Sequence, residues 1–197
     1  MTEGLMPALA AVWTSYALAT LIPGPNVVSV TTSALLGGRK RGLSAASGVA
    51  LATLLWCVAG AFGLSAAIEA RPELLPWLRL GGGMVLAYLG LSILRDEGTG
   101  EVEGAGEGFG SAFAAALANP LNALIWTSLA GLVLRAGPTG AELALYVASC
   151  ATLAFVIHGT LAVTVAAAGR DRVRTGRTAR TFCGGAFLFL SGMLVGG

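Results

Sequence analysis

Residues 23–26 read Pro23-Gly24-Pro25-Asn26 and lie near the middle of a long apolar stretch that begins at Leu5. Each proline lacks a backbone N–H and clashes with the preceding turn of a helix. A helix through this stretch must therefore break, and carbonyl groups one turn earlier lose their helical partners. Because hydrocarbon cannot satisfy those groups, the break has to face protein or a water-filled cavity.

A second break is predicted at Asn119-Pro120-Leu121-Asn122, near the centre of another apolar stretch. Pro120 should free the carbonyl group near Ala116, and two asparagine amides lie beside it. The two stretches therefore carry the same device, a proline interruption accompanied by asparagine.

The composition places these breaks in a membrane protein. The chain has 197 residues, of which 55% are hydrophobic and only 11% charged, whereas a soluble domain has about 25% charged residues. A membrane-spanning helix needs about 20 apolar residues. Six such helices with short turns use nearly the whole chain, which leaves no room for a soluble catalytic domain.

The apolar runs predict an all-α, polytopic membrane protein of six transmembrane helices. The predicted spans are helix 1 (Leu5–Leu36), helix 2 (Gly42–Ala67), helix 3 (Leu74–Leu94), helix 4 (Gly110–Leu134), helix 5 (Ala141–Ala168) and helix 6 (Thr181–Val195). They form a single transmembrane domain, residues 1–197. Residues 1–95 form one repeat, residues 96–109 an acidic, glycine-rich loop, and residues 110–197 a second repeat.

Helices 1 and 4 are the broken ones, so each repeat begins with an interrupted helix. Three spans per repeat is an odd number, and the repeats must be inverted in the membrane. Inverted repeats with discontinuous helices are typical of transporters, with the substrate site near the midplane. A half-helix N-terminus suits a carboxylate. Freed carbonyls and asparagine amides suit an ammonium or hydroxyl group, so the pair of breaks fits a zwitterionic amino acid.

The basic residues predict the orientation of the chain. Nine of the twelve lie in loops 1–2, 3–4 and 5–6, namely Arg39, Lys40, Arg41, Arg95, Arg170, Arg172, Arg174, Arg177 and Arg180. Cytoplasmic loops are rich in lysine and arginine, so these three loops are predicted to be cytoplasmic and both termini outside. In a membrane protein these charges fit orientation and lipid head groups better than nucleic acid.

Single residues add weaker candidates. His158 is the only histidine and lies within helix 5, where it fits either a coupling proton or a hydrogen-bonded packing role. Thr53, Trp56 and Tyr88 are candidates for lining a pathway, or for packing and interface anchoring. The three cysteines lack metal-ligand spacing and fit a packing role.

Over nearly its whole length, the sequence resembles the LysE/RhtB family of bacterial amino-acid exporters. The resemblance is carried by the residues of the first break, Arg39, Gly42, Gly82, Tyr88-Leu89-Gly90, Arg95, Asn119-Pro120, Gly185 and Gly192. It implies export of an amino acid or close derivative from the cytoplasm of a bacterium across its inner membrane, driven by the proton gradient.

Two positions depart from the family pattern. The family often has an aspartate in helix 2, where this chain has Thr53, and a lysine after the helix-4 Asn-Pro, where it has Leu121. An intramembrane carboxylate is the usual group for proton coupling or for binding a cation. Its absence favours a neutral substrate over lysine or arginine.

The sequence thus predicts a secondary exporter that works by alternating access between helices 1 and 4. The alternative is a membrane scaffold or sensor that keeps the fold but no longer transports. The expected partners are a small-molecule substrate, protons and the lipid bilayer, with a homo-oligomer left open and no nucleic acid, metal or cofactor. The residues predicted to build the substrate site are Pro23, Gly24, Pro25, Asn26, Thr53, Asn119, Pro120 and Asn122.

Overall fold

The computed structural model describes residues 4–20, 24–63 and 108–172 continuously, and scattered residues within 70–94 and 181–192. The described continuous parts are helical. They contain α1 (Leu5–Ala19), α2 (Pro25–Ala61), α3 (Gly108–Ala118), α4 (Pro120–Leu134) and α5 (Gly140–Arg172).

Helix α2 is folded into two arms at Gly38. This residue has φ 71° and ψ −168°, a conformation that is open essentially to glycine alone. Beyond it the chain reverses. A methyl group built at Gly42 would lie only 2.9 Å from the Cβ atom of Ala34, so these two positions on either side of Gly38 lie next to each other. Residues 25–37 form the first arm and residues 39–61 the second. Arg39 and Lys40 lie exposed at the turn between them.

The two interruptions occur where the prolines predict them. Helix α1 ends at Ala19, and α2 starts at Pro25 after Gly24, whose backbone is extended. Helices α3 and α4 are separated by the single non-helical residue Asn119. In both cases proline occupies the first position of the new helix, where its fixed φ is suitable and an N–H is not needed.

Several predicted boundaries need correction. The predicted helix 1 corresponds to α1 and the first arm of α2, divided at the predicted break, and the predicted helix 2 corresponds to the second arm. The second arm begins at residue 39 rather than Gly42, and α2 ends at Ala61, short of the predicted Ala67. The loop predicted over 96–109 ends earlier, because Gly108 is already helical, while residues 95–107 lie outside the described part.

Helix α5 is longer than predicted at both ends. It starts at Gly140 after a capping box in which Thr139 N–H donates to Glu142 Oε2 at 2.9 Å and Glu142 N–H donates to Thr139 Oγ1 at 3.3 Å. These reciprocal bonds satisfy backbone donors that have no partner within the helix. Most residues of the predicted helices 3 and 6 lie outside the described part, but the described ones from Pro76 to Leu94 and from Thr181 to Gly192 are helical.

Small residues let α2 pack closely against α3. A methyl group built at Gly48 would meet the carbonyl oxygen of Phe109, and one built at Gly108 would meet that of Arg41. The backbones of the two helices therefore touch. The sequence predicts such close approach for the small residues from Ser44 to Gly48, because small side chains allow membrane helices to approach each other.

The basic cluster Arg39-Lys40-Arg41 lies at one end of the bundle. The start of α3 contacts the backbone of Arg41, next to the Gly38 turn. Ala166 and Ala167, near the end of α5, line a groove together with Arg39. We call this the basic end. The start of α3 and the last part of α5, which border two further predicted cytoplasmic loops, also lie at this end.

The described helices have membrane dimensions. Two of them, Pro25–Ala61 and Gly140–Ala168, are long and apolar enough to cross a membrane, and Leu5–Ala19 and Gly108–Ala118 are shorter apolar helices. The second arm of α2 rises about 35 Å, enough for the bilayer core of about 30 Å. The chain is therefore an all-α protein with membrane-crossing helices.

The contact between α2 and α3 predicts a position-specific effect of a single methyl group. Gly48→Ala should destabilise the protein by about 1–3 kcal/mol, because the new group must displace the backbone of α3. The measurement is thermal unfolding in detergent.

Gly131→Ala is the matched control for this substitution. It adds the same group to α4 at a site with nothing within 4 Å. It should leave the melting temperature unchanged or slightly higher, since alanine is the better helix former. Equal melting temperatures for the two variants would contradict the close packing at Gly48.

Candidate functional site

The two interruptions meet through a pair of asparagine side chains. Asn26 Nδ2 donates to Asn122 Oδ1, and Asn122 Nδ2 donates to Asn26 Oδ1, both at 3.3 Å. Asn26 is the second residue of α2 and Asn122 the third of α4. Both side chains are buried, so this reciprocal amide pair joins the starts of two half-helices inside the bundle.

The carbonyl group of Ala116 is freed as the sequence predicts. Residue 120 is proline, so this oxygen has no N–H four residues further along. Two side chains replace it. Asn122 Nδ2 donates to the Ala116 oxygen at 3.0 Å, and Trp56 Nε1 donates to it at 3.4 Å. Asn122 therefore uses its amide nitrogen for both the broken backbone and the partner break.

A small cavity lies where the breaks meet. Its volume is about 60 Å³, and its lining residues are Tyr16, Ala19, Thr20, Gly24, Pro25, Asn26, Val27, Asn119, Asn122, Ile125 and His158. A cavity of this size has room for water. Among the described lining residues there is no carboxylate.

His158 presents one ring nitrogen for chemistry at this cavity. Its Nδ1 lies 2.9 Å from the carbonyl oxygen of Ala154, which only accepts, so Nδ1 carries the hydrogen and donates. The neutral ring then has an unprotonated Nε2. This atom is fully buried and has no hydrogen-bond partner within the part of the chain that the structure describes. Nε2 is thus placed to accept a proton or a substrate N–H.

The structure brings most of the predicted site residues together. Gly24, Pro25, Asn26, Asn119 and Asn122 all line the cavity, together with His158. Pro120 is the first residue of α4, beside them in the chain. Pro23 lies outside the described residues. The role of these residues in binding a substrate stays a prediction.

Thr53 is placed differently from its prediction. It is fully buried on the second arm of α2 and is absent from the described residues that line the cavity. Its hydroxyl lies near that of Tyr16, although the two form no hydrogen bond of ordinary geometry. Tyr16 is itself a lining residue, so Thr53 stands behind the wall of the cavity rather than in it.

The other two pathway candidates also have different positions. Trp56 supports the freed carbonyl of Ala116 instead of standing as an open wall. Tyr88 is 71% exposed and does not line the cavity. Burial explains the difference, because the indole N–H can reach a backbone acceptor inside the bundle, whereas an exposed tyrosine suits a membrane interface.

Tyr16 and Ile125 are lining residues that the sequence pattern does not single out. Tyr16 packs its ring against Trp126, with ring centroids 4.6 Å apart. The feature of the sequence that could have indicated Tyr16 is its polar-tipped aromatic side chain, about two turns before Pro23 within an apolar helix. Ile125 gives no such signal, because it resembles any other apolar residue of α4.

The described residues contain no group of three or more potential metal ligands. Cys57 and Cys150 are free and buried in one apolar cluster with Tyr146, as their apolar surroundings predict. The only titratable side chains among the described lining residues are Tyr16 and His158.

Apolar helices of membrane dimensions, two of them interrupted at a shared polar cavity, define a membrane transport protein. A model of the LysE type translocator family matches residues 17–196, and the chain belongs to this family. It is therefore a membrane transporter of a small molecule and not an enzyme. No match was found among curated proteins or solved structures.

The two donors on the Ala116 carbonyl predict a non-additive pair of substitutions. Trp56→Phe removes one donor and should cost about 0.5–1.5 kcal/mol of stability. In the Pro120→Ala background a backbone N–H becomes available for the same oxygen, so the cost of Trp56→Phe should shrink. Thermal unfolding of the four proteins in this double-mutant cycle measures the difference. The same cost in both backgrounds would mean that Trp56 does not act through this carbonyl.

Proposed function

We propose that this protein is a secondary transporter that exports an amino acid or closely related small metabolite across the bacterial cytoplasmic membrane. The observation that carries the proposal is the reciprocal Asn26–Asn122 pair, which joins two proline breaks beside a cavity lined by His158. Transporter sites are typically built from such interrupted helices near the bilayer midplane.

The chemistry of the cavity suits a zwitterion. The first N–H groups of α2 have no acceptor within their own helix and carry the positive end of its dipole, which favours a carboxylate. The Oδ1 atoms of Asn26 and Asn122 can accept from an ammonium group once the amide pair separates. Because the described lining has no carboxylate to balance an extra positive charge, a neutral amino acid fits better than lysine or arginine.

Separation of the amide pair sets the energy scale for opening. Each hydrogen bond contributes about 0.5–1.5 kcal/mol net, so two of them hold the breaks together by only a few kcal/mol. A substrate that offers both donors and acceptors replaces the bonds that it interrupts. The cavity of about 60 Å³ beside the intact amide pair then corresponds to a closed state that expands when substrate enters.

We further propose a chain of six transmembrane helices in two inverted repeats, residues 1–95 and 110–197, joined by the acidic loop. Alternating access comes from one repeat rocking against the other around the central site. The positive charge at the basic end supports a cytoplasmic position for loops 1–2, 3–4 and 5–6, with both termini outside. This orientation is tested by labelling Lys40→Cys with a reagent that is applied to one side of the membrane at a time.

The central site predicts loss of transport after single substitutions. Asn26→Ala and Asn119→Ala should each lower the export rate about tenfold or more, because each removes an amide that lines the cavity and contacts the proposed substrate, and Asn26→Ala also breaks the pair with Asn122. The measurement is export of a panel of neutral and cationic amino acids by proteoliposomes, with and without a proton gradient.

Ser128→Ala is the matched control for these two variants. It removes a polar group from the exposed face of α4 and should transport at the wild-type rate. Wild-type rates in both asparagine variants would contradict the site. No transport of any compound by well-folded wild-type protein would favour the scaffold or sensor instead.

Proton coupling is assigned to His158. Imidazole is the side chain that exchanges a proton most readily near neutral pH, and Nε2 is the free position of this ring. His158→Gln should therefore flatten the dependence of export on pH while the protein still folds. Thr160→Ala, which changes an exposed threonine on the same helix, should keep the wild-type profile. An unchanged profile in His158→Gln would exclude this role.

A further inference from the structure

The first arm of α2 carries a row of buried polar side chains. Asn26, Ser29, Thr32 and Ser33 are all exposed by 8% or less. At 100° per residue these four residues fall within an arc of about 120° on one face of the helix. We call this set the polar row. It begins at the central cavity with Asn26 and points along the helix toward the basic end.

Two members of the polar row lack the usual partner of a membrane hydroxyl. Hydroxyl groups in apolar helices commonly bond to a carbonyl group one turn earlier. Elsewhere in the described helices Ser47, Thr152, Thr160 and Thr164 do this at 2.7–3.1 Å, whereas the buried Thr53 on the second arm does not. Ser29 Oγ and Thr32 Oγ1 make no hydrogen bond within the described chain, although both are buried.

An unpartnered buried hydroxyl costs free energy, because its hydrogen bonds to water are lost on burial and not replaced. Alanine or valine at these positions would avoid that cost and pack as well. Polar groups inside a membrane bundle are expensive and typically mark a substrate or ion pathway. The two hydroxyls therefore point to a ligand that contacts them in another state of the protein.

The row ends at an arginine. Gly37 lies eleven residues after Asn26 and returns to nearly the same face of the helix. A methyl group built at Gly37 would collide with the side chain of Arg41, so the stem of this arginine covers the helix there. The polar row thus runs from the central asparagine pair to a positive charge at the basic end.

We propose that the polar row is the wall of the half-pathway between the central cavity and the basic end, closed in this structure. Arg41 covers its entrance. Ser29 and Thr32 offer a donor and an acceptor each to a zwitterionic substrate that moves along the row. This inference rests on the proposed export function and adds the route by which the substrate reaches the site.

Cysteine labelling tests whether water reaches the row. In a background with all three native cysteines changed to alanine, Ser29→Cys and Ser33→Cys are compared with Thr31→Cys. Thr31 is the matched control, because it is also a hydroxyl residue of the first arm but lies on the opposite, half-buried face. The probe is a membrane-impermeant, cationic methanethiosulfonate added at the basic end of reconstituted vesicles, with Lys40→Cys as the exposed reference.

The positions of the row should react about tenfold or more faster than position 31, because a minor open state exposes them to water. Reaction at positions 29 and 33 that is no faster than at position 31 would overturn the proposal. The result does not depend on knowing the transported compound.

Transport by Ser29→Ala and Thr32→Val supplies a second measurement. Each variant loses one hydroxyl contact to substrate, so export should fall about two- to tenfold. The melting temperature should not fall, because the removed group has no partner in the closed state. A lower melting temperature with normal export in both variants would show a structural role and overturn the proposal.

The outcomes separate this route from the central site. If Asn26→Ala abolishes export while positions 29 and 33 stay unlabelled, the route is wrong and the central site stands. If positions 29 and 33 react quickly while Asn26→Ala and Asn119→Ala both export at the wild-type rate, the route is supported and the central site is wrong.

Discussion

The carbonyl oxygen of Ala116 has no backbone partner in its own helix, because the residue four places further along is Pro120. In lipid such a group must be satisfied from within the protein. Asn122 and Trp56 satisfy it from two different helices, α4 and α2. The break in one span therefore fixes how α2 and α4 are placed around it.

The same asparagine also connects the two breaks. Asn122 donates to the freed carbonyl and exchanges hydrogen bonds with Asn26 at the start of α2. The helix starts are thus joined by side-chain amides. Hydrogen bonds between amides are weak enough to exchange for hydrogen bonds to a substrate. The tight contact of α2 with α3 at Gly48 offers no such exchange. The Asn26–Asn122 contact can therefore change its hydrogen-bond partners, whereas the close packing of α2 against α3 leaves no space for a change.

The departures from the family pattern agree with this polar but uncharged centre. Thr53 stands where the family often has an aspartate, and the structure places it behind Tyr16, away from the lining of the cavity. A carboxylate at that depth would require a positive partner, and the described lining offers only His158. A site made of amides, helix starts and one imidazole fits a neutral zwitterion that brings its own two charges.

The sequence by itself determined the membrane class, the two interruptions and the freeing of the Ala116 carbonyl. A proline acts on residues within four positions, and apolar length is also a local property. Only the tertiary structure decided that Asn26 meets Asn122, 96 positions away, that His158 with its unpartnered Nε2 lines this cavity, and that Thr53 is not among its described lining residues. Those outcomes depend on the rotation and packing of helices against one another, because many helix faces here are equally apolar and the pattern of one helix does not specify its neighbour.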